Sequence, residues 1–402
     1  MSETKPSEMR YRWVMLALVW MAYCTFGIIM RVISPLITQI IKDLNITYGQ
    51  MGSILGSWQL TYTIVAVAMG FLLDRFGIRL TVGLGVIAIT ASAILRAFAV
   101  SYETLFLAVM IFGIGGPTIS IGAPKLISVW FQGAERKKAA GIYTTGPSVG
   151  AIIAFSTVNS IVIPWLRSWR LTFLFFAAFA VAATILWWMF SREPSRSSAG
   201  SEAELSFKEG VLRLLRIKNV VIIIIVGLAS FLGSHGITNW LPTIIEVSGQ
   251  TAELAGYLSA IPNIATIVGA LTIMRIYPEG KGRYVVAIIF LTRAISTYLI
   301  GVTTGVPLLA ALFLQGIGTG AMTPLLMLII MNTQGVGSRL MGTAGGLYFA
   351  VGEVGGFLGP YVMGLLTDLT GSFYSGITVF TILYLVMIPP LFLVKEAKSA
   401  ES

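Results

Sequence analysis

Apolar runs recur along this sequence from one end to the other, and each is about as long as the ~20 residues a helix needs to cross a hydrocarbon layer. Polar, glycine- or proline-containing segments separate them. The pattern predicts helices over Trp13–Ile37, Met51–Leu73, Leu80–Val100, Leu105–Phe131, Ala139–Ile163 and Trp169–Phe190. After a polar break it predicts six more, over Val220–Ile244, Glu253–Tyr277, Tyr284–Thr303, Pro307–Asn332, Met341–Leu366 and Phe373–Val394. They are called spans 1 to 12 below. The alternating segments of about 10 residues that mark a membrane β-barrel are absent. The expected fold is an all-α membrane protein with twelve transmembrane helices in two pseudo-symmetric six-helix halves. The halves are residues 1–190 and 220–402. The break, 191–219, is a linker that begins Ser- and charge-rich and ends, at Leu205–Ile217, with apolar residues at helical spacing among Lys208, Arg213 and Arg216. That end reads as a short amphipathic helix on the membrane surface.

Composition agrees with this class. Of 402 residues, 56% are hydrophobic and 11% charged, against about 25% charged in soluble domains. The net charge of +10 points to nucleic acid only until its distribution is examined. Cations crowd the loops on one side: Arg10, Arg12, Arg75, Arg79, Arg136 to Lys138, the linker, Lys281, Arg283, Arg339, Lys395 and Lys398. The positive-inside bias then puts both termini in the cytoplasm of a multi-pass cell-membrane protein. The polar start "MSETKPSEMRYRW" leads into a run too long for a signal-peptide core, so that run is the first span. One cysteine, Cys24, and one histidine, His235, leave no disulfide framework and no Cys/His metal site. No cofactor motif, phosphate loop or nucleophile–base set suggests an enzyme. A monomer is expected.

The halves repeat. "GIYTTGPSVGA" from Gly141 aligns with "GLYFAVGEVGG" from Gly346, "GIGGP" from Gly113 with "GIGTG" from Gly316, and Pro35 in "VISPLI" with Pro242 in "NWLPTI". Duplicated halves around a midplane site are a transporter architecture. The connection "GFLLDRFGIR", Gly70–Arg79, resembles the signature loop of the major facilitator superfamily. That resemblance implies a conformational latch of Gly70, Asp74, Arg75, Gly77 and Arg79, with Asp74 favouring a helix N-terminus through its dipole. "KLISVWFQGAERKKAAGI", Lys125–Ile142, is similar to a pattern of the superfamily's anion-transporting branches and adds Glu135 and Arg136 to the latch. "MRVISPLITQIIKDLNITYGQMG" resembles the start of cyanate/nitroimidazole-type permeases. One departure stands out: many anion/proton symporters carry an acid in span 4, and "GIGGPTIS", Gly113–Ser120, has none.

Arg31 lies in the outer half of span 1, too deep for an easy exit to the interface. Exposing such a charge to lipid costs at least about 2.5–3.5 kcal/mol, so it faces a cavity or a partner. A guanidinium holds a carboxylate through two parallel hydrogen bonds, which makes Arg31 the candidate anion-binding residue; an ion pair with Glu353 is the competing role. Glu353 is the one carboxylate deep in a span, and it and His235 are the candidates for proton coupling. Gln59, Tyr143, Asn239, Asn263 and Tyr348 are polar groups near mid-span, suited to lining a cavity or to interhelical hydrogen bonds. Arg96 and Lys125, near span ends, are expected to snorkel. Arg293, mid-span 9, has no assigned role. The expected activity is secondary transport of a small, monocarboxylate-like organic anion by alternating access, with proton coupling open. "GPSVGA", Gly146–Ala151, resembles a motif of drug/proton antiporters, so drug efflux is the second expectation and a non-transporting membrane receptor the third.

Overall fold

A computed structural model describes residues 6–193, 207–277 and 280–396; the side chains of 6–10, 67, 70–71, 74, 207–208, 274, 276 and 338–339 also lie outside the description. All regular structure among the described residues is helical. In chain order the helices are α1 (Pro6–Arg31), α2 (Ile37–Leu44), α3 (Tyr48–Ala97), α4 (Tyr102–Trp130), α5 (Gly133–Thr144), α6 (Gly146–Thr157), α7 (Ile163–Leu166) and α8 (Trp169–Phe190). They continue with α9 (Phe207–Leu214), α10 (Lys218–Val247), α11 (Ala252–Ile276), α12 (Gly282–Val302), α13 (Gly305–Met331), α14 (Gly337–Thr370), α15 (Phe373–Val386) and α16 (Ile388–Leu391). Eleven helical segments among the described residues are long and apolar enough to cross a membrane. The first limb of α3, residues 48–76, covers span 2 of the sequence reading. Gly77, at φ 82° and ψ 170°, separates that limb from the second. The chain is therefore a multi-pass, twelve-helix membrane protein.

Proline explains where spans depart from single helices. Span 1 was expected to run unbroken to Ile37. It ends instead at Arg31, passes through a 3-10 turn at Ser34–Leu36 and restarts as α2. Pro35 has no N–H to offer the Arg31 carbonyl four residues back. Span 5 is likewise interrupted at Thr145, two residues before Pro147, and again by a π turn at Val158–Val162. Span 12 stops at Val386, ahead of Pro389 and Pro390. The surface helix expected over Leu205–Ile217 is α9, which ends at Leu214, three residues before Ile217; Leu205 lies outside the described residues.

Two compact units emerge. One holds the described residues through Asn45 and from Ser57 to Glu193; the other holds Ile46–Gly56 and everything from α9 on. Lipid gives helices no hydrophobic reason to associate, so small residues that let backbones meet do that work. In the first unit α1 packs on α6, where a Cβ on Gly27 would strike the Pro147 carbonyl and one on Gly150 the Cys24 carbonyl. In the second unit α10 packs on α14 in the same manner, with Gly355 and Gly359 against the carbonyls of Leu228 and Leu232.

Each unit also closes one helix start with a carboxylate that follows its last span. Glu193, just past α8, accepts from the N–H groups of Ile78 and Arg79 at 2.9 and 2.8 Å. Glu396, just past α16, accepts from those of Gly282 and Arg283 at 2.9 and 2.5 Å. The arginine in each pair reaches back to a carbonyl of the capping segment, Arg79 to Trp188 and Arg283 to Val394. Charge at a helix N-terminus and two satisfied orphan donors act together here. Replacing Glu193 or Glu396 by Ala is expected to cost about 1 kcal/mol and to lower the melting temperature of the detergent-solubilised protein. An unchanged melting temperature in both variants would refute the capping role.

Candidate functional site

In the first unit the candidate residues sit on α1, α3 and α5. Arg31 is the last residue of α1 and is 7% exposed. A helix C-terminus carries partial negative charge, which favours a cation there. Gln59 is fully buried in the first limb of α3. Tyr143, half-buried in α5, stacks on Tyr23 of α1 with ring centroids 6.1 Å apart. From Tyr23 a set of rings continues inward: Phe26 lies 5.9 Å away, and it contacts both Trp58 and Phe112. Tyr62, beside Trp58, shares a 2.9 Å hydrogen bond with Ser120. The sequence reading named Tyr143 but not Tyr23, Phe26, Trp58 or Tyr62, because aromatic residues in an apolar span look like ordinary packing.

Arg96 corrects an expectation. It does not snorkel; it is 1% exposed, donates to the Ile29 carbonyl at 2.7 Å and lies over the rings of Phe112 and Phe173. A carbonyl and two π faces compensate a guanidinium that water does not reach. Lys125 is half-buried in α4.

In the second unit Glu353 lies in α14 and is 6% exposed; among the described residues its Oε2 has no hydrogen-bond partner. Tyr348, one turn earlier, is fully buried against Gly227 and meets Phe231 edge-on at 5.9 Å. Phe231 also stacks on half-buried His235 at 5.9 Å. Asn239 is buried, and half-buried Asn263 donates to the Ser259 carbonyl at 3.2 Å. Arg293, which the sequence left without a role, is fully buried. Its guanidinium donates to Ser230, Ser234 and Tyr384 and lies 4.4 Å from the Tyr384 ring centre. It thus ties α12 to α10 and α15. A cleft of about 360 Å³ in this unit, lined by Lys218, Asn219, Gln334, Lys395 and Glu396 among others, includes none of the candidate residues.

The candidate latch residues are spread over several local contacts. The side chains of Gly70 and Asp74 lie outside the described residues. Arg75 stacks over Phe76, Gly77 makes the left-handed turn, and Arg79 joins the Glu193 cap. Glu135 pairs with Arg12 at 2.6 Å. Arg136 closes the end of α4 by donating to the carbonyls of Phe131 and Ser128. Among the described residues no group of His, Cys, Asp and Glu is placed to hold a metal.

Known proteins locate the chain among transporters. The D-galactonate transporter of Escherichia coli O6:H1 is 24% identical, with 90% of each chain covered. Multidrug resistance protein 1 of Bacillus subtilis is also 24% identical, with 89% of each covered. The crystal structure of a bacterial homolog of the human lysosomal transporter Spinster superposes with a TM-score of 0.75 at 17% identity, covering 98% of this chain and 100% of that one. The family model described as Major Facilitator Superfamily matches residues 19–281, well over half of the length, and the chain belongs to that superfamily.

Proposed function

We propose that this transporter carries a small organic anion, monocarboxylate-like in size, by rocking of two six-helix halves, 1–190 and 220–402, joined by the 191–219 linker. Both termini lie in the cytoplasm, and the working unit is a monomer. Overall identity does not choose the substrate, since an acid transporter and a multidrug protein match equally well. The observation that carries the reading is Arg31: a permanent cation, buried, at the point where span 1 stops being helical. A guanidinium so placed offers an anion two directed donors and repels a cationic drug. Tyr23 and Phe26, which precede it in α1 and touch each other, supply apolar walls in this reading.

The test is a thermal-shift titration of purified protein with lactate, benzoate, D-galactonate and the cation tetraphenylphosphonium. An acid is expected to stabilise the wild type, and Arg31→Lys is expected to weaken its binding about ten-fold, because an ammonium cannot reproduce the guanidinium fork. Stabilisation by tetraphenylphosphonium alone would favour drug efflux instead.

Glu353 is the proton carrier in this reading, because it is a buried carboxylate with an unbonded oxygen. A lasting charge there would be costly. Glu353→Gln is expected to abolish accumulation driven by an imposed pH gradient and to spare anion-for-anion exchange, which moves no net proton. Undiminished proton-driven uptake in that variant would remove Glu353 from coupling and leave His235.

A further inference from the structure

Where span 1 breaks, span 5 breaks beside it. The 3-10 turn Ser34–Leu36 is buried throughout, so its backbone carbonyls need donors from within the protein. Across from it, Val158–Val162 forms the π turn between α6 and α7. The two irregular turns are in contact. The Asn159 side chain, 8% exposed, donates from Nδ2 to the Pro35 carbonyl at 3.3 Å. A π turn carries one residue more than an α turn, and without it the positions that follow would swing by about 100° around the helix.

Tyr23, Gly27 and Arg31 recur every four residues along α1 and so share one face, and Pro35 follows four residues on, in the 3-10 turn. Three of them have neighbours on span 5. Tyr23 stacks on Tyr143, Gly27 is pressed on the Pro147 carbonyl, and Pro35 accepts from Asn159. Along the chain Arg31 therefore lies between a backbone-to-backbone contact with span 5 four residues before it and the Asn159 hydrogen bond four residues after it.

We propose that Asn159 is a positioning residue for the anion-binding arginine: by tying the Pro35 carbonyl to the π turn of span 5, it sets where α1 ends and where the Arg31 guanidinium sits. The inference rests on the reading of Arg31 given above. Asn159→Leu keeps the branched shape, at a larger volume, and removes the donor. It should weaken acid binding about ten-fold, since small displacements of a binding group are costly. It should leave the response to a neutral analogue such as benzyl alcohol unchanged.

The deciding measurement is a double-mutant cycle on acid affinity, using lactate, benzoate and D-galactonate as probes, with wild type, Asn159→Leu, Arg31→Lys and the double variant. If Asn159 acts through Arg31, its substitution has little further effect once Arg31 is lysine. Additive losses, or wild-type affinity in Asn159→Leu, would overturn the proposal while leaving the Arg31 reading intact. Absence of any Arg31-dependent acid binding would overturn both. Should Asn159→Leu fail to fold, Pro35→Ala tests the same break from the other side. It returns a donor to the Arg31 carbonyl, and it should weaken acid binding to a similar degree; unchanged affinity in that variant also overturns the proposal.

Discussion

A backbone carbonyl inside a bilayer has no water to turn to, and that constraint governs most of what is unusual in this fold. Each helix end and each break within a span strands backbone groups that regular helix would pair. The chain answers locally. Asn159 serves the Pro35 carbonyl. Arg136 serves two carbonyls at the end of α4, and the Trp240 indole serves that of Pro360. At the helix starts the problem is inverted, and Glu193 and Glu396 take up N–H groups instead. The polar side chains of the spans are thus first a repair kit for backbone, and only some of them remain for a ligand.

That priority decides how much could be read from sequence. The number of spans and the linker followed from apolar run length alone, because crossing a bilayer sets a minimum length that any such chain must meet. The breaks at Pro35, Thr145 and Val386 were less legible. A proline in a membrane helix can be tolerated as a kink, and only neighbours decide whether the helix continues. The π turn at Val158–Val162 left no signal, since "TVNSIV" differs little from a regular helical segment. The carboxylate caps were hidden for another reason. Glu193 and Glu396 stand in polar tails that read as linker and terminus, far in sequence from the helix starts they close.

The candidate site shows the same limit. Arg31 was visible because a charge in an apolar run is expensive and must have a reason. Tyr23, Phe26, Trp58 and Tyr62 were not, since an aromatic ring in an apolar span has none to declare. Their contacts with one another and with Tyr143 became evident only when α1, α3, α4 and α5 were placed side by side.

Three buried arginines show why charge in a span is an ambiguous clue. Arg96 is settled by a carbonyl and two aromatic faces. Arg293 is settled by three hydroxyl groups and a ring. Both sit in helices that pack within one unit, and both make their side-chain contacts there. Their burial costs are met inside the fold, so an anion would have to displace protein groups to reach them. Arg31 differs in its place along the helix. It ends α1, where the backbone leaves its regular path and the carbonyl field is negative, and contacts with span 5 flank it in the chain, at Gly27 before it and at Pro35 after it. A cation held at a helix break can be moved by a small change in the break, as one embedded in a regular helix cannot. In the proposed function, that coupling between backbone geometry and charge position is what lets the site bind and then release an anion.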